Sequence, residues 1–172
     1  MEKITRFKDI PQLTSDGNYQ VNYIEEEVET MGLQLNPDFQ RGHVWTEEQQ
    51  VAWLEYNLRG GKSGNTIYLN NPFQHSVRSP REGEYSDYVC VDGLQRLTAA
   101  QRFIHNEIKV FGSYYKEFDD SIRVLTQTMI LNVNDLKSEK EVLQWYVDMN
   151  SGGTPHTDDE IKRVKDMIQR LE

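Results

Sequence analysis

Residues 92–96, Asp-Gly-Leu-Gln-Arg, bring a carboxylate, a glycine, an amide and a guanidinium together. They follow a short apolar stretch at 89–91 and precede apolar residues at helical spacing. A strand that passes through a glycine into a helix directs free backbone N–H groups at an anion. Gly93 would allow close approach, Arg96 could fork onto phosphate oxygens, and Asp92 could cap the helix or hold a metal ion. The run predicts a phosphate-binding turn. The alternative is an ordinary Asp-Gly turn with a surface arginine.

Two other runs place similar residue types in loops. The first, at 36–45, carries Gln40 and Arg41. The second, at 149–155, contains Asn150 and reads as a glycine-rich turn. Loops held by rigid elements often carry function. The alternatives are that Phe39, Val44 and Trp45 anchor the core while Arg41 is solvated, and that the second run only ends a helix.

Helix and strand signals surround these runs. Capping boxes, in which Ser or Thr is followed three residues later by Glu or Gln, predict helices after Thr46, Ser138 and Thr157. A further helix is predicted over residues 24–31. Short apolar or β-branched stretches at 66–69, 88–91 and 128–133 predict strands. Helices interleaved with strands indicate an α/β or α+β domain.

Length, charge and cysteine usage limit the function classes. The 172 residues suit one domain, over residues 1–172, with one sizeable core. A net charge of −9 argues against a free-standing DNA binder that works by broad phosphate neutralisation. No apolar run approaches the roughly 20 residues that cross a bilayer. Cys90 is the one cysteine, expected to be an inert core thiol, so we expect an intracellular, cytoplasmic protein without a membrane partner.

Other patterns have weaker support. Gly61-Lys62-Ser63 is similar to the end of a phosphate loop, but Tyr56 stands where that loop needs a glycine. Glu-x-Lys runs at 107–109 and 160–162 could fit a metal-dependent nuclease, although such runs are common on solvated helices. The polar stretch 71–87, which contains two prolines, predicts a mobile surface loop.

The chain resembles the DUF262 domain in residues 39–45, 91–98 and 150–154. DUF262 is the N-terminal domain of GmrSD-type, modification-dependent restriction systems and is related to the ParB/sulfiredoxin-like fold. The resemblance extends from about Tyr19 to Lys165. It implies a compact domain with a small mixed sheet surrounded by about four or five helices. Leu94 departs from the pattern, since the family has a glutamine there.

The resemblance implies nucleotide chemistry. In the family this motif is associated with binding and hydrolysis of a nucleoside triphosphate (NTP), which regulates a nuclease. Catalytic roles would fall on Asp92, Gln95 and Arg96, and Asp92 would also hold Mg²⁺. The nucleotide itself would be bound by Gln40, Arg41, Gly93, Leu94, Asn150, Gly152 and Gly153.

The resemblance also implies partners. The family's nuclease activity usually needs a further HNH-type domain, so we expect a stand-alone nucleotide-responsive module or a partner of a separate nuclease subunit, with a homodimer as another assembly. A non-catalytic module that recognises protein or DNA is the alternative function. A metal-dependent nuclease ranks last.

Overall fold

A computed structural model describes residues 3–11, 32–40, 42, 44–61, 63–74, 76–120, 129–150 and 158–171. Its three strands are β1 (Thr66–Asn70), β2 (Val89–Asp92) and β3 (Ile130–Asn134). They form one sheet in the order β2-β1-β3 within the described residues. β1 pairs antiparallel with β2 and parallel with β3, so the sheet is mixed, as expected.

Four α-helices lie in the described ranges: α1 (Glu47–Leu58), α2 (Leu94–Ile104), α3 (Glu139–Asn150) and α4 (Asp158–Arg170). The capping box that predicted α1 is present, because Thr46 Oγ1 accepts from the Gln49 N–H and Gln49 Oε1 accepts from the Thr46 N–H. At α3, Ser138 Oγ accepts from the Glu141 N–H. Thr157 and the helix predicted over 24–31 lie outside the described residues.

Alternate residues of the strands feed two hydrophobic clusters. Ile67, Leu69 and Cys90 join the cluster that contains buried residues of α1 and α2. Val89 and Val91 join the cluster that contains buried residues of α3 and α4. Because successive strand side chains point to opposite faces, each face of the sheet has its own pair of helices. This arrangement confirms the compact α/β domain. The relation to the ParB/sulfiredoxin-like fold stays a prediction.

The polar stretch between β1 and β2 lies on the surface, as expected. Arg78 donates to both carboxylate oxygens of Glu84, at 2.7 and 2.9 Å. Val77, next to Arg78, is fully exposed. No helix in the described part of the chain is long and apolar enough to cross a bilayer.

Candidate functional site

The turn between β2 and α2 forms as the sequence predicts. β2 ends at Asp92, Gly93 is the N-cap residue with φ +128°, and α2 begins at Leu94. A Cβ on Gly93 would lie 2.7 Å from Cδ1 and 2.8 Å from Cγ2 of Ile67 on β1. Glycine is therefore required here because β1 packs against the turn, in addition to the positive φ. We call residues 89–96 the β2–α2 corner.

The start of α2 favours an anion. The backbone N–H groups of Leu94, Gln95 and Arg96 make no hydrogen bond to any described residue. The first turn of α2, which is fully described, contains no acidic side chain. Unpaired N–H groups and the helix dipole together attract negative charge. Leu94, one of the predicted nucleotide-binding residues, is 5% exposed and offers only its backbone.

Arg96 connects three segments of the chain. Its Nη1 donates to the carbonyl oxygens of Gly64 and Thr66, both at 2.9 Å, and its Nη2 donates to Asp92 Oδ2 at 2.7 Å. The side chain is 15% exposed. These contacts use three of the five guanidinium N–H groups, which leaves two for a ligand. Arg96 thus lies at the corner, as predicted, and also holds the start of β1 against the end of β2.

Gln95 positions the loop before α1. Its Oε1 accepts from the backbone N–H groups of Val44 (2.8 Å) and Trp45 (3.0 Å), and its Nε2 donates to the Gly42 carbonyl oxygen at 2.9 Å. This brings the first two sequence runs together at the corner. Arg41 lies outside the described residues, but its neighbour Gly42 is bound by Gln95. The catalytic role of Gln95 stays a prediction. Its amide group already makes three hydrogen bonds to the loop before α1, and these would compete with a water or a phosphate.

Gln40 binds the edge of β2. Its Nε2 donates to the carbonyl oxygens of Cys90 (3.0 Å) and Val91 (2.8 Å). Arg163 of α4 donates to the carbonyl oxygens of Gln40 and Asp38, both at 3.0 Å. Arg163 could not be identified from the sequence, because nothing distinguishes it from the other charged residues of an amphipathic helix.

Asp92 is the predicted metal ligand. Its side chain is 50% exposed, with Oδ2 on Arg96. Among the described residues no group of three or more His, Cys, Asp or Glu side chains could hold a metal ion. Mg²⁺ in nucleotide sites takes one or two carboxylates together with phosphates and waters. Asp92 therefore fits a Mg²⁺ ion that arrives with a phosphate and does not fit a closed, all-protein metal site.

Asn150 contacts its own helix. Its Nδ2 donates to the Tyr146 carbonyl oxygen at 2.7 Å. The ring of Tyr146 packs edge-on against Phe39 at 5.2 Å, which links the end of α3 to the loop that carries Gln40. No contact between Asn150 and residues 92–96 is found in the described part of the chain. Gly152 and Gly153 lie outside the described residues.

Two residues near the corner confirm core predictions. Phe39 is 5% exposed, and the Cys90 side chain is fully buried. Val44, by contrast, is 50% exposed, so it does not anchor the core. Burial and the neighbouring Asp92 raise the pKa of the Cys90 thiol to about 12, although Arg96 opposes the shift. A thiol with so high a pKa is a poor nucleophile at neutral pH.

The comparisons with known proteins give one match. The family model described as the GmrSD restriction endonuclease, N-terminal domain, matches residues 24–165. Comparison with curated proteins finds no match, and neither does comparison with solved structures. The matched range contains Gln40, Arg41, the β2–α2 corner and residues 150–154.

Proposed function

The chain belongs to the family of the GmrSD restriction endonuclease N-terminal domain, a domain of restriction systems used in phage defence, and from this premise we propose that it is a nucleotide-binding regulatory domain. The phosphates of an NTP would lie at the β2–α2 corner. The observation that carries the proposal is the start of α2, whose first three N–H groups have no partner among the described residues and stand beside Arg96.

The residues of the β2–α2 corner have parts that their contacts allow. The N–H groups of residues 94–96 would bind phosphate oxygens, and Arg96 would add its two unused N–H groups. Gln95 would keep the loop with Arg41 beside the phosphates. Asp92 would hold Mg²⁺, which when bound neutralises phosphate charge.

Binding is supported more strongly than hydrolysis. Leu94 is buried and has no polar side-chain atom, so it cannot orient a water as a glutamine could. Gln95 is occupied by the loop before α1. We therefore propose nucleotide binding as the function and treat turnover as a separate quantity to be measured by phosphate release.

Thermal unfolding tests the proposal. A ligand that binds only the folded state raises the melting temperature, by an amount set by its concentration relative to Kd. We expect a rise with at least one of ATP, GTP, CTP and UTP at millimolar concentration with Mg²⁺. The rise should be lost in Arg96→Met and kept in Arg78→Met, each compared with its own unliganded form. Folded protein that shows no rise with any of the four would refute the proposal.

A second candidate is a non-catalytic module that recognises another protein. The observation that favours it is Val77, a fully exposed apolar side chain on a loop held by the Arg78–Glu84 pair. A separate nuclease subunit or a second copy of the chain would be the partner. Nucleotide binding without phosphate release, together with loss of subunit binding in Val77→Ser, would support this candidate.

A further inference from the structure

We propose that the indole N–H of Trp53 is a further ligand-binding donor of the β2–α2 corner, and that it recognises a hydrogen-bond acceptor on the base of the nucleotide. The inference rests on the proposed function and extends it from the phosphates to the base. It concerns a residue of α1 that lies outside the three sequence runs described above.

The indole N–H of Trp53 is an unsatisfied donor. Trp53 Nε1 is buried and has no hydrogen-bond partner among the described residues. An indole nitrogen can only donate, so it needs an acceptor. Buried polar groups in folded proteins are nearly always paired, and an exception calls for an explanation such as a missing ligand.

The position of Trp53 connects this donor to the corner. Its Nε1 lies 3.9 Å from the position that a Cβ on Gly64 would occupy. The carbonyl oxygen of Gly64 accepts from Arg96 Nη1 at 2.9 Å. The centroid of the Trp53 ring lies 6.2 Å from the centroid of the Trp45 ring. The backbone N–H of Trp45 donates to Gln95 Oε1. Both positioning residues of the corner therefore contact the immediate neighbours of Trp53.

The turn at Ser63 and Gly64 lies next to the donor, and for a ligand to reach the buried indole N–H this turn has to move. Both residues are exposed. The Gly64 carbonyl oxygen accepts from Arg96 Nη1. The Ser63 N–H donates to the Tyr56 hydroxyl at the long distance of 3.4 Å. A phosphate attracts a guanidinium more strongly than a neutral carbonyl does. Phosphate binding at Arg96 would therefore weaken its hold on Gly64 and uncover the indole N–H.

The surroundings of the donor suit a flat heterocycle. The rings of Trp45 and Trp53 are tilted by 55° and do not stack on each other. Aromatic side chains offer stacking surfaces to any base, and the N–H selects a base edge that presents an acceptor. A phosphate oxygen is also an acceptor, so the experiment must separate the base from the phosphates.

Nuclear magnetic resonance of ¹⁵N-labelled protein provides that test. The chain has three tryptophans and hence three indole N–H signals, which Trp45→Phe, Trp53→Phe and Trp145→Phe assign. The signals are followed during titration with ATP, GTP, CTP and UTP, and separately with inorganic tripolyphosphate, all with Mg²⁺. We expect at least one NTP to shift the Trp53 indole proton downfield and slow its exchange with solvent. Tripolyphosphate binds at Arg96 but brings no base, so it should not slow the exchange of this proton, and Trp145, which packs against Tyr68 in the other cluster, serves as the internal control.

The possible outcomes are distinct. If an NTP shifts the backbone signals of Gly93 and Gln95 but leaves the Trp53 indole unchanged, nucleotide binding stands and this inference is wrong. If tripolyphosphate slows the exchange of the indole proton as much as the NTP does, recognition of the base is wrong. If no signal moves, the proposed function fails and the inference fails with it. Trp53→Phe should also weaken NTP binding about tenfold while leaving tripolyphosphate binding unchanged, because only the contact to the base is lost. The wild-type signals decide the question even if that variant does not fold.

Discussion

The β2–α2 corner and the loop of residues 76–84 are built from the same parts. Each contains a glycine with positive φ, Gly93 in the corner and Gly83 in the loop. Each also contains an arginine paired with a carboxylate at 2.7 Å. They differ in what surrounds these parts.

Burial separates the two regions. In the corner, a Cβ on Gly93 would meet Ile67, whereas one on Gly83 would have nothing within 4 Å. The Arg96 side chain is 15% exposed and binds carbonyls some thirty positions earlier in the chain, whereas Arg78 is 47% exposed and bonds within its own loop. The same residue types therefore hold distant elements together in one place and only shape a local loop in the other.

Cysteine reactivity should show the largest contrast. The Cys90 pKa of about 12, against an ordinary value of 9.0, leaves about a thousandfold less thiolate at neutral pH. We expect native protein to react with an alkylating reagent at least that much more slowly than a Cys90→Ser, Ser79→Cys double variant, whose thiol lies in the exposed loop. Mass spectrometry of timed samples measures both rates. Comparable rates would mean that the corner opens readily.

Replacement of Gly93 and of Gly83 by alanine should lower the unfolding free energy by different amounts. In Gly93→Ala the new methyl group overlaps Ile67 and the backbone is strained, so we expect unfolding free energy to fall by about 3 kcal/mol. Gly83→Ala adds strain without overlap and should lower it by about 1 kcal/mol. Urea unfolding measures both values. Equal losses would show that only the positive φ matters and that the contact with β1 does not.

Replacement of Arg96 and of Arg78 by methionine should also lower the unfolding free energy by different amounts. Arg96→Met removes the donor from the part-buried carbonyl oxygen of Thr66 and from the carbonyl oxygen of the exposed Gly64, so we expect a loss of about 2 kcal/mol. Arg78→Met breaks an exposed pair and should leave stability within experimental error. The same unfolding measurements serve here. A stable Arg96→Met protein would contradict the positioning role of Arg96.

The smallest expected effect is on the pKa of Glu84, which lies in the loop of residues 76–84. Hydrogen bonds from the Arg78 side chain and the Arg81 N–H lower the pKa of Glu84 to about 2. A depressed pKa contributes stability above the ordinary value of 4.5, and that contribution is lost as pH falls toward 2. NMR titration of the Glu84 carboxyl carbon should show the low value, and Arg78→Met should bring it back toward the ordinary one. An unchanged value in that variant would assign the shift to Arg81 alone.

Local signals in the sequence predict local structure well. The Thr46 capping box, the glycine between β2 and α2 and the buried Cys90 could all be predicted, because each depends on neighbours within a few positions. The partners of Gln40 and Gln95 could not, since their hydrogen bonds join residues about fifty positions apart.

Two residues of the corner make contacts that the sequence did not indicate. Gly93 was expected to admit a ligand, and the structure shows that the space beside it is filled by Ile67. Arg96 was expected to face a phosphate, and it also holds two carbonyls of the protein. Trp53 gave no sequence signal at all, because an unpaired donor is a property of the folded surroundings.

The amide of Gln40 has a consequence for behaviour at high concentration. β2 lies at one end of the sheet, where outward carbonyl groups would otherwise serve as a template for a strand from another molecule. Gln40 already occupies the carbonyl oxygens of Cys90 and Val91. The backbone of Gln34 also covers this edge, because its N–H donates to the Tyr88 carbonyl oxygen and its carbonyl oxygen accepts from the Cys90 N–H. We expect replacement of Gln40 by leucine to leave the carbonyl oxygens of Cys90 and Val91 open to a strand from another molecule.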